Sequence, residues 1–147
     1  VISGLEVVEI VAADTHDLRR SVLRWNTPTK EVVFAEDEWP GCWHLGLRRE
    51  GVMVAVCSWV PRPLDDRPAV QLRGMATDRA LQGTGLGGVL LEEGCRVALE
   101  RGFDLVWARA RDSALAFYDR HGFVVEGNGF IDEGTQMPHH LISRALR

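Results

Sequence analysis

Gln82-Gly83-Thr84-Gly85-Leu86-Gly87 follows a strand-like run, Val70-Gln71-Leu72-Arg73-Gly74-Met75-Ala76-Thr77, and opens an apolar-periodic run that reaches about Arg101. A strand, a glycine-rich loop and a helix start together make a phosphate-binding device. The first N–H groups of a helix lack intrahelical acceptors, and they sit at the positive end of the helix dipole, so an anion placed there is stabilised. Glycine lets the backbone approach that anion and permits positive φ. A plain strand–helix connection needs fewer glycines than Gly83, Gly85, Gly87 and Gly88 supply.

Working outward, Leu5 to Val11 alternates as a strand. Asp14 or Thr15 caps a helix that runs to about Trp25, where Thr27-Pro28 ends it. Lys30 to Gly41 carries Glu31, Glu36, Asp37 and Glu38, which reads as a solvated loop or, functionally, as a mouth that attracts a cationic amine. Trp43–Arg48 and Met53–Pro61 are strands joined by a hairpin turn at Arg49-Glu50-Gly51. Gly74 inside the next strand marks a bulge or a close backbone approach. The helix after the loop turns Leu86, Val89, Leu90 and Val97 to one face, Gly94 allows close packing, and Gly102 ends it. Phe103–Ala110 is a short buried strand. Asp112 or Ser113 caps a helix to His121, Gly122 stops it, and Phe123–Glu126 and Leu141–Ala145 are the last strands. Asn128-Gly129 is a turn signal. The order of elements gives a mixed α/β domain over residues 1–147, with Val70–Thr77 and Phe103–Ala110 as a parallel pair and about six or seven strands in the sheet.

The 147 residues, 46% apolar and 26% charged, suit one globular domain. A net charge of −4 gives no general attraction to nucleic acid or to anionic lipid, and no apolar run reaches the length of a membrane span. Cys42, Cys57 and Cys95 are scattered, so neither a disulfide framework nor a metal site is expected, and the expected setting is reducing and cytoplasmic. No leader pattern opens the chain.

Gly83, Gly85 and Gly88 match the spacing of a dinucleotide fingerprint, but that fingerprint belongs at the first strand of a fold with several further parallel units. About sixty residues remain here, which leaves room for little more than one crossover of ~30 residues. A phosphate-binding NTPase loop is served worse still, because no Gly-Lys-Ser/Thr follows.

The residues resemble the GNAT superfamily of acyl-CoA N-acyltransferases. Gln82, Gly85 and Gly87 match its Gln/Arg-x-x-Gly-x-Gly/Ala pyrophosphate loop, and Ala114, Phe117-Tyr118 and Gly122-Phe123 match its A-x-x-F-Y-x-x-x-G-F element. Leu72–Ala76, Ala110-Arg111 and Pro138-His139 resemble a small subgroup. The resemblance is strong over Gln71–Phe123. It implies a mostly antiparallel sheet with one splayed parallel pair, and acetyl-CoA as co-substrate without a metal. Backbone groups of Met75, Ala76 and Thr77 would pair with the pantetheine arm, the Met75 N–H would polarise the thioester carbonyl, and Gln82, Gly83, Thr84, Gly85, Leu86 and Gly87 would hold the pyrophosphate. Arg111 departs from the pattern, since many relatives carry there an Asn that contacts the arm.

The implied reaction is acetyl transfer to a primary amine of a small molecule or peptide by direct attack in a ternary complex. Tyr118 is the implied general acid and the only tyrosine of the chain. An alkylammonium has a pKa near ~10, so a proton must leave the amine. Glu38, His44, Glu133 and His139 are the candidates to take it, with His139 the catalytic choice. Trp39 and Trp43 are candidates for an acceptor groove or for simple packing. A homodimer is expected by analogy. The competing readings are a non-catalytic acyl-CoA-binding module of the same fold and a small dinucleotide-binding domain.

Overall fold

The computed structural model describes residues 4–147. Its seven strands are β1 (Leu5–Ile10), β2 (Trp43–Arg49), β3 (Val52–Pro61), β4 (Val70–Thr77), β5 (Leu105–Arg111), β6 (Val124–Ile131) and β7 (Pro138–Ala145). They form one sheet in the order β1-β2-β3-β4-β5-β7-β6. Only β4 and β5 run parallel; every other pair is antiparallel. The helices are α1 (His16–Leu18), α2 (Leu86–Glu100) and α3 (Leu115–Arg120).

The apolar period of α2 buries Leu90, Leu91, Cys95 and Ala98 against one face of the sheet. Gly94 is required there: a Cβ would lie 2.2 Å from Cζ2 of Trp59, which is fully buried. Val89 departs from the sequence reading. It is partly exposed and lies at the rim of a cleft rather than in the core. The first helical segment covers the other face. It starts earlier than expected, with a 3-10 turn at Ala12–Thr15, continues as α1, and ends as a π turn at Arg19–Leu23. Such π turns are uncommon and concentrate at functional sites. Here the turn delivers Arg19, fully buried, to Asp37 (2.8 and 2.9 Å), Ser58 Oγ (2.8 Å) and the Val32 carbonyl (2.7 Å).

The acidic loop is solvated along much of its length, with Glu31 and Glu38 exposed, but two of its carboxylates are drawn inward. Asp37 is buried in that ion pair, Glu36 is bound by Arg73, and a Glu31 carboxylate oxygen accepts from the Val33 N–H at 2.9 Å. Asp37 and Glu36, so paired, are not free to attract a cationic amine.

Asn128-Gly129 does not reverse the chain. It lies inside β6, at an irregularity between Glu126 and Phe130, where Gly129 leaves room for His140: a Cβ there would meet its Cε1 at 2.8 Å. The reversal occurs between Asp132 and Met137, closed by the Asp132 N–H donating to the Met137 carbonyl (3.0 Å). The Asp132 carboxylate also accepts from Thr135 N–H (2.9 Å) and Oγ1–H (3.0 Å). A carboxylate that ties down a turn in this way is a strong local signal, which the Asn-Gly pair masked.

Candidate active site

The parallel pair holds for only two register positions, Val70–Val106 and Gln71–Trp107, after which the strands part. A bulge drives them apart. Ser58 pairs with Arg73 and Val56 with Ala76, so one residue of β3 opposes two of β4, Gly74 and Met75. Gly74 has φ +59°, and a Cβ on it would lie 3.0 Å from Arg19 Nε and 3.3 Å from the Phe34 ring. The buried Arg19 thus sits against the bulge. Beyond Gln71, the β5-facing edge of β4 has no ladder partner and offers its N–H and C=O groups to the gap.

Two cavities open along this gap. The first is a cleft of about 1660 Å³ that runs from the gap over the glycine loop, lined by Met75, Thr77, Gln82, Gly83, Gly85 and Gly87 among others. Gly83 and Gly85 have φ +82° and +89°, and Gly85 precedes the first turn of α2. A Cβ on either would meet nothing within 4 Å, so the loop presents bare backbone to open space. Gln82 Nε2 donates to the Thr77 carbonyl at 3.1 Å and ties the loop to the end of β4. The Thr84 hydroxyl donates to the Leu81 carbonyl, so it shapes the loop from within. Leu86 and Ala76 point into the core and do not line the cleft. Their contribution to a ligand is confined to backbone.

The second cavity, about 410 Å³, lies on the opposite side of the gap, against Phe34, Arg73, Arg109, Asp132 and His139. Leu23, Met75, Arg111, Ala114 and Tyr118 line both cavities. Tyr118 is 7% exposed and sits edge-on to Phe117 and Phe123, with ring centroids 5.1 and 5.2 Å away. Its hydroxyl has no hydrogen-bond partner among the described residues. Burial raises its pKa well above the ordinary phenol range, with Cys57 and Cys95 adding to the shift. The phenol stays protonated and has a donor to give.

His139 is also buried. It faces Arg111 across β5 and β7 and packs on Phe130, ring centroids 5.8 Å apart. Its Nδ1–H donates to the Met137 carbonyl (2.9 Å), which assigns the lone pair to Nε2. The other base candidates are elsewhere. His44 is buried 2.6 Å from Ser58 Oγ, and His44, Glu38 and Glu133 line neither of these two cavities. Trp43 stacks on Trp59 in the core, as the packing reading expects, whereas Trp39 is exposed beneath Arg62 and lies outside both cavities. Trp25 instead lines the first cleft, with the Arg79 guanidinium 4.1 Å from its ring.

A model of the acetyltransferase (GNAT) family matches residues 10–123. The chain belongs to that family. The GNAT match carries an acyl-CoA-dependent N-acyltransferase activity in general terms, and the open glycine loop beside a parted strand pair fits such a donor. The chain is 30% identical over 146 residues to "Uncharacterized N-acetyltransferase YitI" of Bacillus subtilis (strain 168), covering 97% of each protein. Among solved structures it is similar to an acyl-CoA N-acyltransferase from Pseudomonas aeruginosa, with TM-score 0.80, 24% identity, and 96% and 99% of the two chains covered. It also resembles an aminoglycoside 6'-N-acetyltransferase complexed with coenzyme A, with TM-score 0.75, 11% identity and 97% of each chain covered. At these identities the solved structures show the shared fold. Among the described residues no group of three or more His, Cys, Asp or Glu is placed to hold a metal ion, and no helix is long and apolar enough to cross a membrane.

Arg24, Arg73 and Arg109 line the second cavity and were not singled out from the sequence. A signal was present. In Val106-Trp107-Ala108-Arg109-Ala110-Arg111 every second residue is small or apolar and buried, which turns Trp107, Arg109 and Arg111 to the other face.

Proposed function

We propose that the protein transfers an acetyl group from acetyl-CoA to a primary amine of a small molecule or peptide, by direct attack while both are bound. The observation that carries this reading is the unpartnered Tyr118 hydroxyl on the wall shared by the two cavities. When bound, acetyl-CoA supplies a thioester carbonyl and a thiol leaving group. The chain supplies the rest. The N–H groups of Gln82–Gly87 and the first turn of α2 bind the pyrophosphate. Backbone groups at Met75 and Thr77 bind the arm, and the Met75 N–H donates to the carbonyl oxygen as negative charge develops there. Tyr118 holds a proton for the sulfur that departs. His139 Nε2 is the base, or the contact that orients the amine, from the second cavity.

The test is calorimetric titration with acetyl-CoA and with NAD, followed by a thiol-release screen over polyamines, aminoglycosides, amino acids and peptide N-termini. Acetyl-CoA binding with turnover of at least one amine is expected. Binding without turnover of any amine would make the chain a non-catalytic binding module. NAD binding without acetyl-CoA binding would overturn the reading altogether.

A further inference from the structure

The second cavity holds more cationic than anionic groups. Arg24, Arg73, Arg109 and Arg111 line it, against the carboxylates of Glu31 and Asp132. The carboxylates are engaged: Glu31 accepts from the Val33 N–H, and Asp132 accepts from both groups of Thr135, with Arg109 at 3.4 Å. Arg73 is paired with Glu36, which Arg62 also approaches, at 3.7 Å. Arg24 and Arg111 have no carboxylate within ion-pair distance among the described residues. They converge on one neutral oxygen, the Leu23 carbonyl, with Arg24 Nη1 at 3.2 Å and Arg111 Nη2 at 2.7 Å.

Two guanidinium groups sharing one carbonyl oxygen repel each other, and arginine does not relieve the repulsion by losing its proton at neutral pH. Each retains N–H donors that the protein leaves unused, since a guanidinium carries five. Burial, followed by the charge of Arg111, lowers the Arg24 pKa. Burial together with Arg19, Arg109 and Arg24 lowers that of Arg73 to about 10. What this arrangement lacks is an oxyanion whose two oxygens accept from both forks. The pyrophosphate of the donor does not fill that role, because Arg24, Arg73 and Arg109 line only the second cavity, away from the glycine loop.

We infer that the amine acceptor carries an oxyanion close to its amino group, a carboxylate in first place, and that Arg24 and Arg111 clamp it in the second cavity with Arg73 and Arg109 around it. The acceptor is then an amino acid or a similar small amino-carboxylate, not a polyamine or an aminoglycoside. This rests on the acyltransferase reading above. Proximity of the two groups follows from Arg111, which lies on the same shared wall as Tyr118, where the amine must meet the donor. The volume of about 410 Å³ falls within the usual range of roughly 300–1,000 Å³ for small-molecule sites.

The experiment compares matched acceptors on the intact protein with acetyl-CoA, following thiol release. The set contains amino acids, their carboxamides, the corresponding decarboxylated amines, and aminoalkyl phosphonates and phosphates. The amino acid is expected to exceed its amide and its decarboxylated amine by about a hundredfold in kcat/KM, because two guanidinium groups without a carboxylate partner discriminate strongly. A phosphonate or phosphate that outperforms the amino acid keeps the oxyanion clamp and identifies its anion as phosphorus-based. Amides or polyamines turned over as well as the acids would overturn the clamp and leave the acyltransferase reading standing. If acetyl-CoA binds and nothing turns over, the acyltransferase reading fails and the clamp is decided by calorimetry. Amino acid binding to the acetyl-CoA-loaded protein, with the amide at least tenfold weaker, supports it; equal affinities overturn it. Arg24→Gln should raise KM for the amino acid at least tenfold, leave KM for acetyl-CoA unchanged and bring acid and amide closer together, with partial recovery in Arg24→Lys. An equal effect on acid and amide would reduce Arg24 to a structural role.

Discussion

The two cavities that meet at Tyr118 are built from different parts of the chain. The cleft proposed for the donor owes its shape to backbone: bare glycines at φ near +85°, a helix N-terminus and an unpaired strand edge. The second cavity owes its character to long side chains from the first helical segment, β4, β5 and β7. A backbone site binds what every member of a family shares, because N–H groups are the same in any sequence that adopts the loop. A side-chain site is rewritten by single substitutions, so there the chain states its own specificity.

The sharpest break of that contrast is at the shared wall. Tyr118→Phe retains the ring and its packing and removes only the hydroxyl. It should lower kcat and kcat/KM together by about 10², the low end for a general acid, since a thiolate leaves tolerably well unaided. The melting temperature and acetyl-CoA affinity should be unchanged. Full turnover by the folded variant would make the wall inert and move the proton source elsewhere.

A smaller effect is expected from Gly85→Asp. A Cβ at Gly85 meets nothing within 4 Å, but φ +89° strains any residue that carries one, so the variant should fold with a lowered melting temperature, and its carboxylate should oppose the pyrophosphate. Acetyl-CoA affinity should fall at least tenfold, or ~1.4 kcal/mol. An unchanged titration would remove the loop from the donor site and with it the backbone half of the comparison.

The smallest effect separates the halves by pH. The side-chain half is braced by the buried run Asp37–Arg19–Ser58–His44. Burial, with Arg19 adding, holds the His44 pKa below its ordinary value of about 6.5, although Asp37 opposes the shift. Unfolded, His44 binds a proton that the folded state does not, so its contribution to stability is complete above pH ~6.5 and declines below it. Burial pushes Asp37 up, but the Arg19 hydrogen bond and charge outweigh it, so the folded pKa lies below 3.8. Its stabilisation is present above pH ~4 and is lost as the pH falls through the lower folded value. The melting temperature should therefore decline in two stages on acidification, each no steeper than about 1.4 kcal/mol per pH unit for one proton. His44→Gln should abolish the first stage, and a curve unchanged by that substitution would detach His44 from the brace.

The donor half was legible because its determinants are local. Val70–Thr77, the glycine run and the α2 period are each contiguous, and their backbone requirements are properties of residue type: positive φ at glycine, unpaired N–H groups at a helix start, apolar residues at helical spacing. The sheet and its one parallel pair followed from their order. The second cavity was not legible in that way. Arg24 comes from the end of a π turn, Arg73 from beside a bulge, Arg111 from the end of β5 and His139 from β7, and nothing in their separate neighbourhoods says that they share one space. The inward turn of two acidic-loop carboxylates was hidden for the same reason, since Asp37 and Glu36 find their arginines 18 and 37 positions away. Charge interactions depend on distance in space and on burial, both of which the fold assigns. The residues alone thus determined the glycine loop and helix start proposed to hold the donor, and the tertiary structure alone decided which charges line the other cavity.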